Sequence, residues 1–149
     1  MAAPGSSSSS ASASTSVEHA QALIRCPSVT PVEGGAIAYI AQWAEGLGGC
    51  AERIDRNGVP NLFVKFGPRG ASNGRHFAFA GHTDVVPPGD ESAWSHPPFG
   101  AEIVDGQIYG RGAVDMKSGV ACFMGAVETM LEALAEGDAI SLIITGDEE

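Results

Sequence analysis

The chain has 149 residues, 44% of them hydrophobic, which is length for one domain and enough apolar material for a core. Lys plus Arg number 8 and Asp plus Glu 18, a net charge of −10 that excludes the electrostatic footprint of a nucleic-acid binder and is repelled by anionic membrane surfaces. Three cysteines without Cys-x-x-Cys spacing argue against a disulfide scaffold or an all-cysteine metal site and point to a reducing, cytoplasmic setting.

Residues 1–16 (MAAPGSSSSSASASTS) are low-complexity Ser and Ala. They carry too little apolar surface to offset the entropy of ordering, so a flexible tail is predicted. A plastid-type transit peptide shares this Ser-rich, acid-poor composition, but the stretch has no Arg or Lys. No apolar run in the chain approaches the ~18 residues of a membrane span, and the start lacks the charge and apolar stretch of a secretory signal.

An ordered domain is predicted over 17–149. Thr15 with Glu18 reads as a capping box ahead of an apolar stripe at Ala20, Leu23 and Ile24. Pro27 and Pro31 end that helix. A second helix is predicted over 33–47, with Ile37, Ile40, Trp43, Ala44 and Leu47 at helical spacing and Gly48-Gly49 as its stop. Strands follow at 61–66 (NLFVKF) and 76–80 (HFAFA), then a turn-rich loop, GHTDVVPPGD. Residues 101–109 read as a hairpin around Asp105-Gly106. A helix of about 20 residues is predicted from Met116, with Val120, Met124, Val127 and Leu131 in its stripe. Residues 139–145 (AISLIIT) form a buried central strand that runs into Asp147-Glu148-Glu149. A buried strand normally leads into another element, so an incomplete chain is expected. The fold class is α/β, a mixed sheet flanked by helices.

Three polar clusters lie at the ends of these elements. In Gly81-His82-Thr83-Asp84, residues two apart in extended chain point the same way, so Asp84 can accept from one ring nitrogen of His82 and leave the other for a metal. In the second cluster, GRGAVDMKSG, Asp115 stands just before a helix, either as its N-cap or as a ligand. Asp147, Glu148 and Glu149 are three adjacent acids after an apolar strand, costly unless solvated or met by cations. In open α/β sheets, ligands collect outside the carboxyl ends of the strands, where the first and third clusters lie. One His among Asp and Glu suits a cation such as zinc. The Gly-x-Ser-x-Gly and Gly-x-x-x-x-Gly-Lys-Ser/Thr motifs are both absent from the sequence. Trp94, Pro97, Pro98 and Phe99 read as loop packing at the site's edge, His96 as structural for want of a paired carboxylate, and His19 and His76 as surface or strand positions. Lys117 reads as either a neutraliser of local acids or a solvated helix-start residue.

Taken together, GHTDVVP, GRGAVDMK and TGDEE resemble hallmarks of the aminoacylase/carboxypeptidase family of dinuclear zinc metallopeptidases, over about residues 17–149. The resemblance implies that His82 binds one zinc, Asp115 bridges both and Glu149 binds the second, with cobalt as an alternative metal. It implies Glu148 as general base and acid, Asp84 as the residue orienting His82, and a cis peptide after Asp115. Ser118 departs from the family pattern, where Gly is common. The implied reaction is hydrolysis of the amide of a small N-acyl amino acid. Deacetylase, aminoacylase and carboxypeptidase activities of the family, or a non-catalytic metal-binding fragment, are the alternatives. Family members continue for a couple of hundred residues, with further ligands, substrate-carboxylate binders and a domain for homodimerisation. A catalytic zinc normally has three protein ligands, and here each ion would have two, so the 149-residue chain is expected to be inactive or nearly so.

Overall fold

A computed structural model describes residues 8–68 and 73–149. Helix α1 spans Ser8–Ile24 and α2 spans Ala36–Gly46. Strands β1 (Cys50–Arg53), β2 (Leu62–Phe66) and β3 (His76–His82) follow. The hairpin strands are β4 (Glu102–Val104) and β5 (Gln107–Tyr109), and α3 (Ser118–Met130) and β6 (Ala139–Thr145) close the described chain.

Four strands form a mixed sheet in the order β1-β2-β6-β3. Strands β1, β2 and β6 pair antiparallel, whereas β6 and β3 run parallel from His76 opposite Ala139 to His82 opposite Thr145. The alternation of a strand puts Leu62, Val64 and Phe66 on one face of β2, and Ile140, Leu142 and Ile144 join them from β6. Leu23 of α1, Ile37, Ile40 and Ala44 of α2, and Val120, Met124 and Val127 of α3 complete this core. The predicted α/β architecture with β6 as a central, buried strand is what the structure shows.

Several boundaries differ from the sequence reading. Part of the expected tail, from Ser8, is helical, and Thr15 lies inside α1 rather than at its cap; residues 1–7 of that tail lie outside the described residues. No Gly or Pro interrupts this stretch, and once the packed part of α1 exists each added residue gains a hydrogen bond at low cost. Helix α2 begins at Ala36 because Gly34 and Gly35 have left-handed φ of 63° and 95°. The Glu33 carboxylate caps it by accepting from the backbone N–H of Gly35 and Ala38, each at 3.0 Å. Strand β1 carried no alternating apolar signal and was not predicted. The long helix is shorter than expected: α3 is preceded by a kinked turn over Ala113–Lys117 and followed by a 3-10 turn at Leu131–Ala133. The Asp105-Gly106 hairpin is present, with both residues at positive φ as its tight turn needs.

His19 is not a surface residue. It is buried on α1 between Tyr39 Oη (2.7 Å) and Glu128 Oε1 (2.9 Å), and the same Glu128 oxygen accepts from Trp43 Nε1 at 2.8 Å. This network ties α1, α2 and α3 together and satisfies polar groups that would otherwise be costly inside the core.

Candidate metal centre

Parallel pairing of β3 with β6 sets their carboxyl ends side by side, so His82 and the chain after Thr145 emerge at one sheet edge. Asp115 reaches that edge from the kinked turn. Its φ of −122° and ψ of 105° are non-helical, its bond to Met116 is cis, as the family resemblance implied, and α3 has no side-chain cap. Asp115 is thus no N-cap; its side chain is 74% exposed and its Oδ1 lies 3.2 Å from His82 Nε2.

One ligand atom each from His82, Asp115 and Glu149 lie within 4.8 Å of one another. Glu148 Oε2 is 3.6 Å from His82 Nε2, on a side chain 61% exposed. One imidazole and two carboxylates with a further acid beside them form a donor set that a divalent ion such as zinc accepts.

Asp84 holds this arrangement together from beneath. It is 1% exposed, and its Oδ2 accepts from the backbone N–H of Glu148 at 2.8 Å and of Glu149 at 3.1 Å. His82 Nδ1 donates to the Asp84 backbone carbonyl at 3.1 Å, with Asp84 Oδ1 at 3.5 Å. The expected orienting role of Asp84 toward His82 therefore runs mainly through its main chain, while its carboxylate positions the two glutamates. Burial pushes His82 down, but the Asp84 carbonyl, the Asp115 hydrogen bond and the Asp84 and Glu148 charges outweigh it and hold the ring above its ordinary value.

Lys117 is neither solvated nor on the surface. It is 0% exposed and donates to the Cys26 carbonyl at 2.7 Å. Burial pushes its ammonium down from 10.5 to about 8, with Cys26 and Asp84 pulling the other way. At Lys117 the unfolded chain thus binds more protons than the folded one between about 8 and 10.5, so this group contributes a stability that rises with pH there, against the opposite contributions of Cys26 and Tyr39, which burial pushes up. Urea unfolding is expected to show a gain of at most about 3 kcal/mol from this source as pH climbs from 8 towards 10. Lys117→Met, which carries no titrating group, is expected to flatten that rise relative to the unmodified chain; identical pH profiles would refute the assignment.

The Gly110-Arg111-Gly112 segment forms the other wall. Gly112 has φ of 77°, and a Cβ there would sit 2.5 Å from Val85 Cγ1. A Cβ on Gly110 would sit 2.4 Å from Ile24 Cγ2, so both positions need the bare backbone. The Arg111 guanidinium stacks on Trp94, 5.0 Å from the ring centroid, and its backbone N–H donates to the Pro98 carbonyl at 2.7 Å. Of the loop residues Trp94, Pro97, Pro98 and Phe99, Trp94 and Pro98 are the ones that meet Arg111 here. His96 has the partner that its sequence neighbourhood did not reveal: Glu102 Oε2, from β4, is 2.7 Å away.

An α/β sheet with an imidazole and carboxylates gathered at its strand ends offers a place where a cation and a ligand can meet. Residues 78–149, which hold this whole cluster, match the model of Peptidase family M20/M25/M40. Relatives of the chain include succinyl-diaminopimelate desuccinylase of Cereibacter sphaeroides, 55% identical over 127 residues, 85% of this chain and 33% of the relative. Succinyl-diaminopimelate desuccinylase 1 of a Ruegeria species is 52% identical over the same shares. The chain thus spans about a third of the length of the curated relatives it matches. Among solved structures, human carnosine dipeptidase 1 aligns with a TM-score of 0.75 and 25% identity, over 88% of this chain and 31% of that one. The M20 family metallo-carboxypeptidase Sso-CP2 of Sulfolobus solfataricus shares the fold, with a TM-score of 0.77 and 24% identity over 89% of this chain and 31% of that one.

Sequence reasoning did not find the burial of Lys117 or the stacking of Arg111. The glycines flanking Arg111 were the available signal, because a Gly-x-Gly often marks a backbone held tightly against its neighbours.

Proposed function

We propose that this chain supplies the metal-gathering part of a zinc-dependent amide hydrolase that releases succinate from N-succinyl-L,L-diaminopimelate, a step of lysine biosynthesis in the cytoplasm. The observation that carries the metal centre is the convergence of His82, Asp115 and Glu149 within 4.8 Å beside Glu148. The choice of substrate rests on the 55% identity to the Cereibacter sphaeroides desuccinylase.

In this reading His82 and Asp115 would hold one zinc, and Asp115 and Glu149 would hold a second, with cobalt as an alternative. Such an ion supplies Lewis acidity, making a water easier to deprotonate and stabilising negative charge on the amide oxygen. Glu148 takes a proton from the attacking water and passes it to the leaving amine. Asp84 holds Glu148 and Glu149 by their backbone N–H groups and keeps the His82 ring turned toward Asp115. Among the described residues each ion would have two protein ligands, one short of the usual catalytic set. The 149-residue polypeptide by itself is accordingly inactive or nearly so, and activity and homodimer formation belong to a longer protein.

Two measurements test this. Calorimetric titration with zinc is expected to show saturable binding that His82→Ala abolishes and that weakens as pH falls, since zinc must displace the proton that His82 holds. A chimera in which this chain replaces the matching third of the Cereibacter sphaeroides desuccinylase is expected to release succinate from N-succinyl-L,L-diaminopimelate. A folded, zinc-loaded chimera without that activity would refute the substrate assignment.

A further inference from the structure

The metal-site cluster accounts for the acids at the sheet edge but leaves Arg111 without a role. Its Nε is buried and has no hydrogen-bond partner, and none of the ion pairs among the described residues includes Arg111. An unpaired guanidinium nitrogen out of water is costly, the more so in a chain of net charge −10 that has acids to spare. The group is nonetheless firmly placed. Trp94 supports one face of it, and the Trp94 indole N–H is itself anchored on the Pro88 carbonyl at 3.0 Å. Gly110 and Gly112 pin the backbone on either side. Arg111 also lines a depression of about 280 Å³ together with Asp115 and Glu149, two of the metal-site acids.

We infer that Arg111 is an anion-binding residue that takes a carboxylate of the substrate, next to the amide bond that the metal centre would cleave. The inference rests on the metal-centre reading above. A planar guanidinium offers a fork of donors matched to a carboxylate, and stacking on an indole leaves the edge of that fork uncovered. Asp115 and Glu149 oppose an anion while they are bare and cease to do so once a divalent ion neutralises them. The pocket therefore favours an acidic substrate in the metal-loaded state.

The test is a succinate titration of the 15N-labelled 149-residue chain, apo and zinc-loaded, followed through the Arg111 Nε–H and Trp94 indole N–H signals. Saturable shifts are expected for succinate and none for succinamide, its uncharged counterpart. Arg111→Met, followed at Trp94, is expected to weaken succinate about tenfold or more, and Arg111→Lys by less, because it keeps the charge but loses the planar fork. Dispersion of the remaining amide signals reports whether each variant is folded. The inference is overturned if neither signal moves in either form, or if the Trp94 signal of folded Arg111→Met responds to succinate with an unchanged midpoint. The His82 ring signals report zinc binding separately. Failure of the metal centre would thus show at His82, whereas with zinc bound there the comparison of Arg111→Met with the unmodified chain decides the role of Arg111.

Discussion

Glu148→Ala is expected to leave zinc affinity of the chain within about threefold while cutting succinate release by the chimera by roughly 10²–10⁴, the range that a positioned proton-transfer group supplies. The split follows from how Glu148 is held. Its place at the sheet edge is set by its backbone N–H on Asp84, which alanine keeps. Its side chain is mostly in solvent and is not among the three residues whose ligand atoms converge within 4.8 Å. Truncation therefore removes an acid–base group without disturbing the scaffold. Parallel loss of zinc binding and turnover would show Glu148 to be a ligand instead. Unchanged turnover with metal bound would remove it from the proposed reaction altogether.

Asp84→Ala is expected to do the reverse, damaging fold and metal binding together. The substitution deletes the acceptor for two backbone N–H groups that meet at one buried oxygen. An unpartnered buried donor costs about 1–3 kcal/mol, and Glu148 and Glu149 are exposed residues whose N–H groups water can partly serve, so a total loss of about 1–3 kcal/mol in urea unfolding is expected. Zinc affinity is expected to fall about 10–100-fold, the usual consequence of removing a group that orients metal ligands. Asp84→Asn separates the two effects. Its amide oxygen still accepts from Glu148 and Glu149, so most of the stability is expected to return. An NH₂ in place of Oδ1, 3.5 Å from His82 Nδ1, puts a donor opposite a donor, so the zinc affinity is expected to stay low. Recovery of both quantities in Asp84→Asn would show that the carboxylate charge does not matter here.

The elements that the sequence announced were those whose local chemistry decides their structure. Residues 139–145 are mostly apolar and β-branched, and they became the largely buried strand β6. Asp105-Gly106 demanded a turn and formed one. Where local signals compete, the sequence reading moved by several residues. The helix expected from Met116 starts at Ser118 instead, after a kink over Ala113–Lys117 in which Lys117 Nζ donates to the Cys26 carbonyl and the Lys117 backbone N–H to the Gly112 carbonyl. Likewise His19 could not be placed from α1 alone, since its partners lie 20 and 109 residues away.

By itself, the amino-acid sequence determined which residues could carry the chemistry. One imidazole and a few carboxylates, set at the ends of apolar segments, limit the site to hard or borderline cations whatever the fold. Only the tertiary structure decided that those residues meet. His82 and Glu149 lie far apart along the chain and become neighbours because β3 and β6 pair in parallel with His82 opposite Thr145. A one-residue slip of that register would turn His82 to the opposite face of the sheet, and no local propensity sets a register; burial of Ile140, Leu142 and Ile144 against the helices does.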